Sequence, residues 1–129
     1  MLVNLTLAYE GSASKPFVYI KDGKYAGFEV ELMIGFCREY GYRLEFEDTA
    51  FAAIMSGVSS GRYDIGMSGI TITEERRESV DFSAVNHTED LVLVIHKQSD
   101  VKTFEDYKNA NVGITTGTYA ATIIHRSEE

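Results

Sequence analysis

The hydrophobic period along the first half of this chain switches back and forth between that of a strand and that of a helix. Only a fold in which the two alternate accommodates such a pattern. From Leu2 to Ala8, apolar and polar residues take turns, with Leu5 and Leu7 set against Asn4 and Thr6. Leu32, Met33, Phe36, Cys37 and Tyr40 then fall at helical spacing, with Glu31, Arg38 and Glu39 off the stripe, and Gly41 is placed to end that helix in a left-handed cap. Arg43–Glu47 alternates again, and Phe51, Ile54, Met55 and Val58 return to helical spacing before Gly61. Strand, helix, strand and helix in that order predict a mixed α/β layer with mainly parallel strands. Between the first strand and the first helix, Tyr19-Ile20 and Tyr25-Ala26 flank Lys21-Asp22-Gly23-Lys24, and Asp-Gly between two such arms predicts a hairpin.

Further along, Asp64 to Gly69 reads as a short strand of small residues leading into Ile70–Thr73. The unbroken apolar run Leu91–Ile95 predicts a buried strand. Thr103 is placed to cap a short helix through Lys108, Val112-Gly113-Ile114 is another expected strand, and Gly117-Thr118 opens a last helix through Ile124. No internal repeat appears, and the softest boundary is the polar stretch Asn86–Asp90. The run at Leu91 is far too short to cross a membrane. No basic segment followed by an apolar stretch opens the chain, so a signal segment is expected to be absent from it.

Charge narrows the partners. Twenty acidic residues against twelve basic ones give a net charge of −8, a field that repels phosphate backbones, so nucleic acid is not expected as a partner. The single cysteine, Cys37, allows no intrachain disulfide and lies on the helical stripe as a small core residue. His87, His96 and His125 are scattered and have no neighbours at metal-ligand spacing, and no phosphate-cradling glycine loop is present, so neither metal nor cofactor is expected.

The chemistry concentrates in Gly66–Arg77. There a strand runs into small and hydroxyl residues and then into a short helix beginning near Thr73. Backbone N–H groups at a helix start attract an anion. Thr71 can add a hydroxyl, and Arg76 a planar fork that suits a carboxylate in bidentate fashion. The same residues also admit a plain structural reading: Thr71-x-x-Glu74 matches a capping box, and Glu74, Glu75 and Arg76 fit a solvated helix face.

Four motifs in order resemble one family. They are Lys15-Pro16-Phe17 through Asp22-Gly23-Lys24-Tyr25-Ala26-Gly27-Phe28-Glu29-Val30-Glu31-Leu32, then Tyr63-Asp64-Ile65, then Gly69–Arg76, then Val80-Asp81-Phe82-Ser83. This arrangement is similar to the polar-amino-acid-binding proteins of ABC importers, the family 3 solute-binding proteins with the type II periplasmic-binding-protein fold. The resemblance implies most of lobe 1 plus the beginning of lobe 2. Residues 1–86 would be the N-terminal part of lobe 1, and residues 87–129 the crossover and an incomplete start of lobe 2. It further implies that Arg76 pairs with the α-carboxylate of an amino-acid ligand, with Thr71 supplying a hydroxyl. Ser68 and the backbone at Gly69 would face the α-ammonium. Phe51 matches an aromatic that packs on the ligand side chain, although it equally fits the apolar stripe with Ile54 and Met55. From the second lobe, Thr115, Thr118 and Tyr119 match a loop that meets the ligand carboxylate from the other side.

The departures bear on substrate and strength. Gly11 and Ser14 stand where relatives offer an acidic residue and an aromatic, which leaves Ser14 a weak site residue and the side-chain preference untransferable. Members of the family are much longer than this chain, and the acid that pairs with the ligand ammonium lies in the part not represented here. The resemblance therefore implies an extracytoplasmic amino-acid carrier, in the periplasm or lipid-anchored at the cell surface, that docks on an ABC permease in the membrane. This chain alone would bind weakly or not at all, and its uncovered lobe surfaces would invite homodimerisation or strand exchange. A ligand-sensing domain of a membrane receptor or sensor kinase is the alternative. An enzyme on the same scaffold comes third, because no acid or base in the cleft can be named for it.

Overall fold

Strand β1 (Val3–Tyr9) takes the middle of a three-stranded parallel sheet because the chain crosses over it first in one direction and then in the other. The computed structural model describes residues 2–11, 15–103 and 105–128. After β1 the chain forms an antiparallel hairpin of β2 (Tyr19–Lys21) and β3 (Lys24–Ala26). Asp22 and Gly23 sit at φ 51° and 72° there, and two positive φ values are what a tight primed turn demands. Helix α1 (Phe28–Tyr40) follows and returns the chain as β4 (Tyr42–Asp48) on one side of β1. Helix α2 (Phe51–Ser59) then carries it back to β5 (Ile65–Gly66) on the other side. The resulting order is β4-β1-β5, and crossovers of one hand in opposite directions place their helices on opposite faces of the sheet.

The side chains of β1 divide accordingly. Leu7 and Tyr9 pack with Val18, Val30 and Met67 on the α1 face, whereas Ala8 packs with Phe51, Ile54 and Tyr63 on the α2 face. Register reinforces this, with Leu5 opposite Leu44, and Leu7 opposite both Phe46 and Ile65. The small residues are on the α2 side for a reason. A Cβ on Gly66 would come within 2.6 Å of the Ile54 side chain, and one on Gly57 would run into the Tyr63 ring, so both glycines let α2 settle close to the sheet. Leu7 and Ile54 are fully buried, each stabilising the fold by about 1.5–3 kcal/mol.

Several expectations are corrected. The buried face of α1 is Val30, Met33, Ile34 and Cys37, while Leu32, Phe36 and Tyr40 are 47%, 41% and 67% exposed. Phe28, Leu32, Phe36 and Tyr40 recur every fourth residue as a second, outer stripe on the same helix, beside the one that the sheet buries. Gly41 does close the helix, at φ 75° with its N–H donating to the Cys37 carbonyl. β5 is shorter than Asp64–Gly69, because the backbone turns away from β1 at Ser68 (φ 149°) and Gly69 (φ 61°).

The contacts divide the chain into two units, Met1–Phe82 and Ser83–Glu129, and all the elements above belong to the first. In the second, Leu91–Ile95 and Val112–Ile114 are not strands, and Val92 and Val94 are 75% and 89% exposed. A strand requires a hydrogen-bonded neighbour, and among the described residues none pairs with either segment. Thr103 is not the cap of the short helix, which is a single 3-10 turn, Asp106–Asn109. The roles are reversed: the Asp106 carboxylate accepts from the Lys102 and Thr103 N–H groups and the Thr103 hydroxyl, at 2.8–3.0 Å. With α3 (Glu74–Arg77) lying in the first unit, the last helix is α4 (Tyr119–Glu128), which continues past Ile124.

Candidate ligand-binding site

β1 and β5 end side by side at the point where the chain reverses its direction of travel across the sheet. In open parallel sheets such a switch point leaves a crevice beyond the carboxyl ends of the strands, because the loops on either side diverge. Glu10 and Ser68 meet there, with the Glu10 N–H donating to the Ser68 Oγ at 2.8 Å. The two strand ends are held parallel up to this point by Met67 N–H to the Ala8 carbonyl and by a pair of bonds between Thr6 and Asp64. Ser68 is 5% exposed, and its positive φ is a conformation that costs a non-glycine residue roughly 1–3 kcal/mol.

Gly69 follows at φ 61°, and a Cβ there would stand 2.9 Å from the Phe17 ring, so conformation and space both require glycine. Its N–H donates to the Glu29 carboxylate, 3.1 and 3.3 Å from the two oxygens. Glu29 is itself 6% exposed. On the far side of the loop after β1, the Gly11 N–H donates to Asp48 Oδ1 at 3.0 Å. Tyr9, at the end of β1, packs edge-on to both Tyr25 and Phe46. Burial, and then the neighbouring Tyr25 and Asp48, push its phenol well above the ordinary tyrosine range, so it stays neutral.

Helix α3 (Glu74–Arg77) begins just beyond. Its cap is Thr73, whose hydroxyl accepts from the Arg76 N–H at 3.2 Å, which removes the Thr71-x-x-Glu74 capping box from contention. At four residues α3 has little macrodipole, so the anion-attracting role foreseen for its start passes to the guanidinium. Arg76 folds back so that Nη1 donates to the Thr71 carbonyl at 2.6 Å. Burial lowers its pKa from the ordinary arginine value, with Glu75 opposing that shift; a guanidinium remains a cation regardless.

Thus Ser68, Gly69, Thr71 and Arg76 lie along one continuous turn leaving β5. Phe51 is 9% exposed and packs with Ala8, Ile54 and Tyr63. Thr115, Thr118 and Tyr119 sit in the second unit in the turn that opens α4, where the Thr118 hydroxyl donates to the Thr115 carbonyl at 2.8 Å. Ser14 lies outside the described residues. Sequence reasoning passed over Glu10 and Glu29. For Glu29 a signal was present: Glu29, Met33 and Cys37 recur every fourth residue along the buried stripe.

The bacterial extracellular solute-binding proteins, family 3, match this chain over residues 5–123. The chain belongs to that family. As a family 3 solute-binding chain it has an α/β fold of the periplasmic-binding-protein kind, partially represented. It is 35% identical over 103 residues to the arginine-binding extracellular protein ArtP of Bacillus subtilis, covering 80% of this chain and 40% of that protein. A probable histidine-binding protein of Neisseria gonorrhoeae is 33% identical over 96 residues, covering 74% of this chain and 36% of the relative. The solute-binding chain thus spans well under half the length of these curated relatives. Among solved structures, an ancestral arginine-binding protein bound to arginine is 34% identical with a TM-score of 0.59, over 64% of this chain and 37% of that one. A structure from work on glutathione import via GshT and the cystine ABC importer TcyBC of Streptococcus mutans is 29% identical with a TM-score of 0.89, over 98% of this chain and 53% of that one.

Proposed function

We propose that this chain carries the carboxylate-gripping lobe of an extracytoplasmic amino-acid-binding protein that delivers its ligand to an ABC permease. The observation that carries the reading is the turn Ser68–Arg76 at the switch point of a parallel sheet, where hydroxyl, carbonyl and guanidinium groups follow one another. A guanidinium has five N–H donors. The bond to Thr71 orients its plane, and the fork has the capacity to take a carboxylate in bidentate fashion as well. Ser68 and Gly69 offer oxygen acceptors suited to an ammonium. Phe51 is the aromatic proposed to meet the ligand side chain, its ring otherwise held in the core with Ala8, Ile54 and Tyr63. In this reading the second unit begins a second lobe, and Thr115, Thr118 and Tyr119 are its candidate ligand-contacting residues.

The names of relatives support an amino-acid ligand, since they bind arginine, histidine or cystine. A family of solute-binding proteins supports a carrier rather than an enzyme. The extracellular placement of that family supports an extracytoplasmic location, and no described helix is long and apolar enough to cross a membrane. Because the chain spans less than half of its curated relatives, it is expected to bind weakly by itself, and its exposed apolar run Leu91–Ile95 is the surface through which copies associate.

A thermal-shift screen of the twenty amino acids tests the reading, run on the full gene product and on this chain. A ligand present at about a hundred times its Kd stabilises a protein by about 2.7 kcal/mol, a clear rise in Tm for the full gene product. Arg76→Ala should abolish that rise, and His96→Ala, outside the site, should leave it intact. No stabilisation by any amino acid, or a rise that survives Arg76→Ala, would refute the proposal.

A further inference from the structure

We infer that the outer face of the β2–β3 hairpin docks an acidic segment of a partner protein, a role independent of the amino-acid site proposed above. The hairpin register sets Tyr19 opposite Ala26, Ile20 opposite Tyr25 and Lys21 opposite Lys24. Residues directly opposite share a face, and faces alternate along a strand. Tyr25 stacks on Phe46 at 3.9 Å between ring centroids and meets Tyr9 edge-on, so its face is the one turned toward β1 and β4. The other face, carrying Tyr19, Lys21 and Lys24, is turned outward, and both lysines are exposed.

Like charges directly opposite one another destabilise a ribbon, yet Lys21 and Lys24 stand in that relation. Lys15 adds a third ammonium, 5.0 Å from the centroid of the Tyr19 ring. Among the described residues none of the three forms an ion pair. Residues 15–25 hold these three lysines against one acid, Asp22, in a chain of net charge −8. The hairpin is thus a positive island on an acidic molecule. An open cavity of about 350 Å³ adjoins it, lined by Lys15, Pro16, Tyr19, Ile20 and Lys21. Ile20 is 48% exposed, which leaves apolar surface between the two ammonium groups. Such a lining suits carboxylates carried on hydrocarbon stems, as the glutamate side chains of a peptide are. Charge selects among occupants. A second copy carries the same −8 and is repelled at long range, as is a surface of anionic lipid. A short acidic segment presents its charge to the lysines alone.

Titration of the isotope-labelled chain with hexaglutamate, followed by NMR, tests the inference. Amides of the hairpin, Tyr19–Ala26, are expected to shift, with an apparent Kd that weakens as salt screens the charges, and hexaglutamine should move none of them. Replacing both Lys21→Glu and Lys24→Glu keeps a like-charged pair, so the Tm should stay with that of the parent. The reversed sign should weaken hexaglutamate binding about tenfold or more. Should that variant fold poorly, the pair Lys21→Gln and Lys24→Gln decides, with a loss of about threefold expected. Lys24→Glu alone removes the repulsion and should raise the Tm while binding weakens, a combination that a purely structural role for the lysines does not produce. Arg76→Ala should take up hexaglutamate as the parent does, whatever becomes of its amino-acid affinity, so failure of either reading leaves the other standing. Shifts spread evenly over Lys97, Lys102 and Lys108, equal binding of hexaglutamine, or full binding by the doubly reversed variant each overturn the proposal. Shifts of the same size with inorganic phosphate overturn it too, by making the face a small-anion site. A hairpin that responds to phosphatidylglycerol vesicles and not to hexaglutamate overturns it in favour of a membrane contact.

Discussion

Ser68 and Gly69 show what a single position can demand. The turn needs a positive φ at both, yet only one of them is glycine. The serine keeps its hydroxyl because Glu10 uses it, and the glycine keeps its bare Cα because Phe17 fills the space. Residue by residue, the proposed site could be nominated from the sequence where the chemistry is carried by a rare side-chain type in a motif. Arg76 and Thr71 stood out in that way. Glu29 did not, because an acid at a helix start has an ordinary solvated explanation, and the stripe it shares with Met33 and Cys37 is one of two on that helix. Asp106 gives a prediction at the same scale. Hydrogen bonds from the Lys102 and Thr103 backbone, then from the Thr103 hydroxyl, hold its carboxyl below the ordinary value of 3.8. A depressed carboxyl stabilises the fold fully above the unfolded value and loses that contribution as pH falls through the lower folded one. The Asp106 midpoint followed by NMR should therefore lie below 3.8, with the Lys102 and Thr103 amides still protected at pH 4 and released under stronger acid. A midpoint at or above 3.8 contradicts the capping role.

Elements were legible to the extent that their partners are within reach. β1, the Asp-Gly hairpin, α1, β4 and α2 all form where their hydrophobic period placed them, since each finds its neighbour within the first unit. The face of α1 was misjudged because Leu32, Phe36 and Tyr40 also make a helical stripe. Two stripes on one helix cannot be ranked from sequence, and the sheet chose the one carrying Val30 and Cys37. The strand foreseen at Leu91–Ile95 shows the opposite failure: apolarity and β-propensity were read correctly, but pairing is a property of two segments. The core around α2 offers a direct check on the packing scheme. Ile54 is fully buried between Ala8 and the close-set Gly66, where little can move to fill a void. Ile54→Ala should therefore cost about 2–5 kcal/mol in denaturant unfolding, and a loss under 1 kcal/mol would mean that α2 is not seated as described.

At the scale of the molecule, two surface properties oppose each other. The net charge of −8 keeps copies apart, while the exposed run Leu91–Ile95, in no strand pairing among the described residues, offers apolar side chains in one place. Sedimentation should accordingly show association that grows as salt screens the charge, and that recedes when Val92 and Val94 are both replaced by lysine. Association unaffected by that double replacement would assign it to another surface, such as the outer stripe of α1. A more general consequence follows from the central place of β1. Three successive residues of that strand and its end, Ala8, Tyr9 and Glu10, serve the α2 core, the α1 core and the crevice in turn. A protein built this way has no latitude to change its ligand preference by altering that strand. New preferences must be written in the loops that hang from it, which is where a lineage handling many different amino acids would be expected to accumulate its differences.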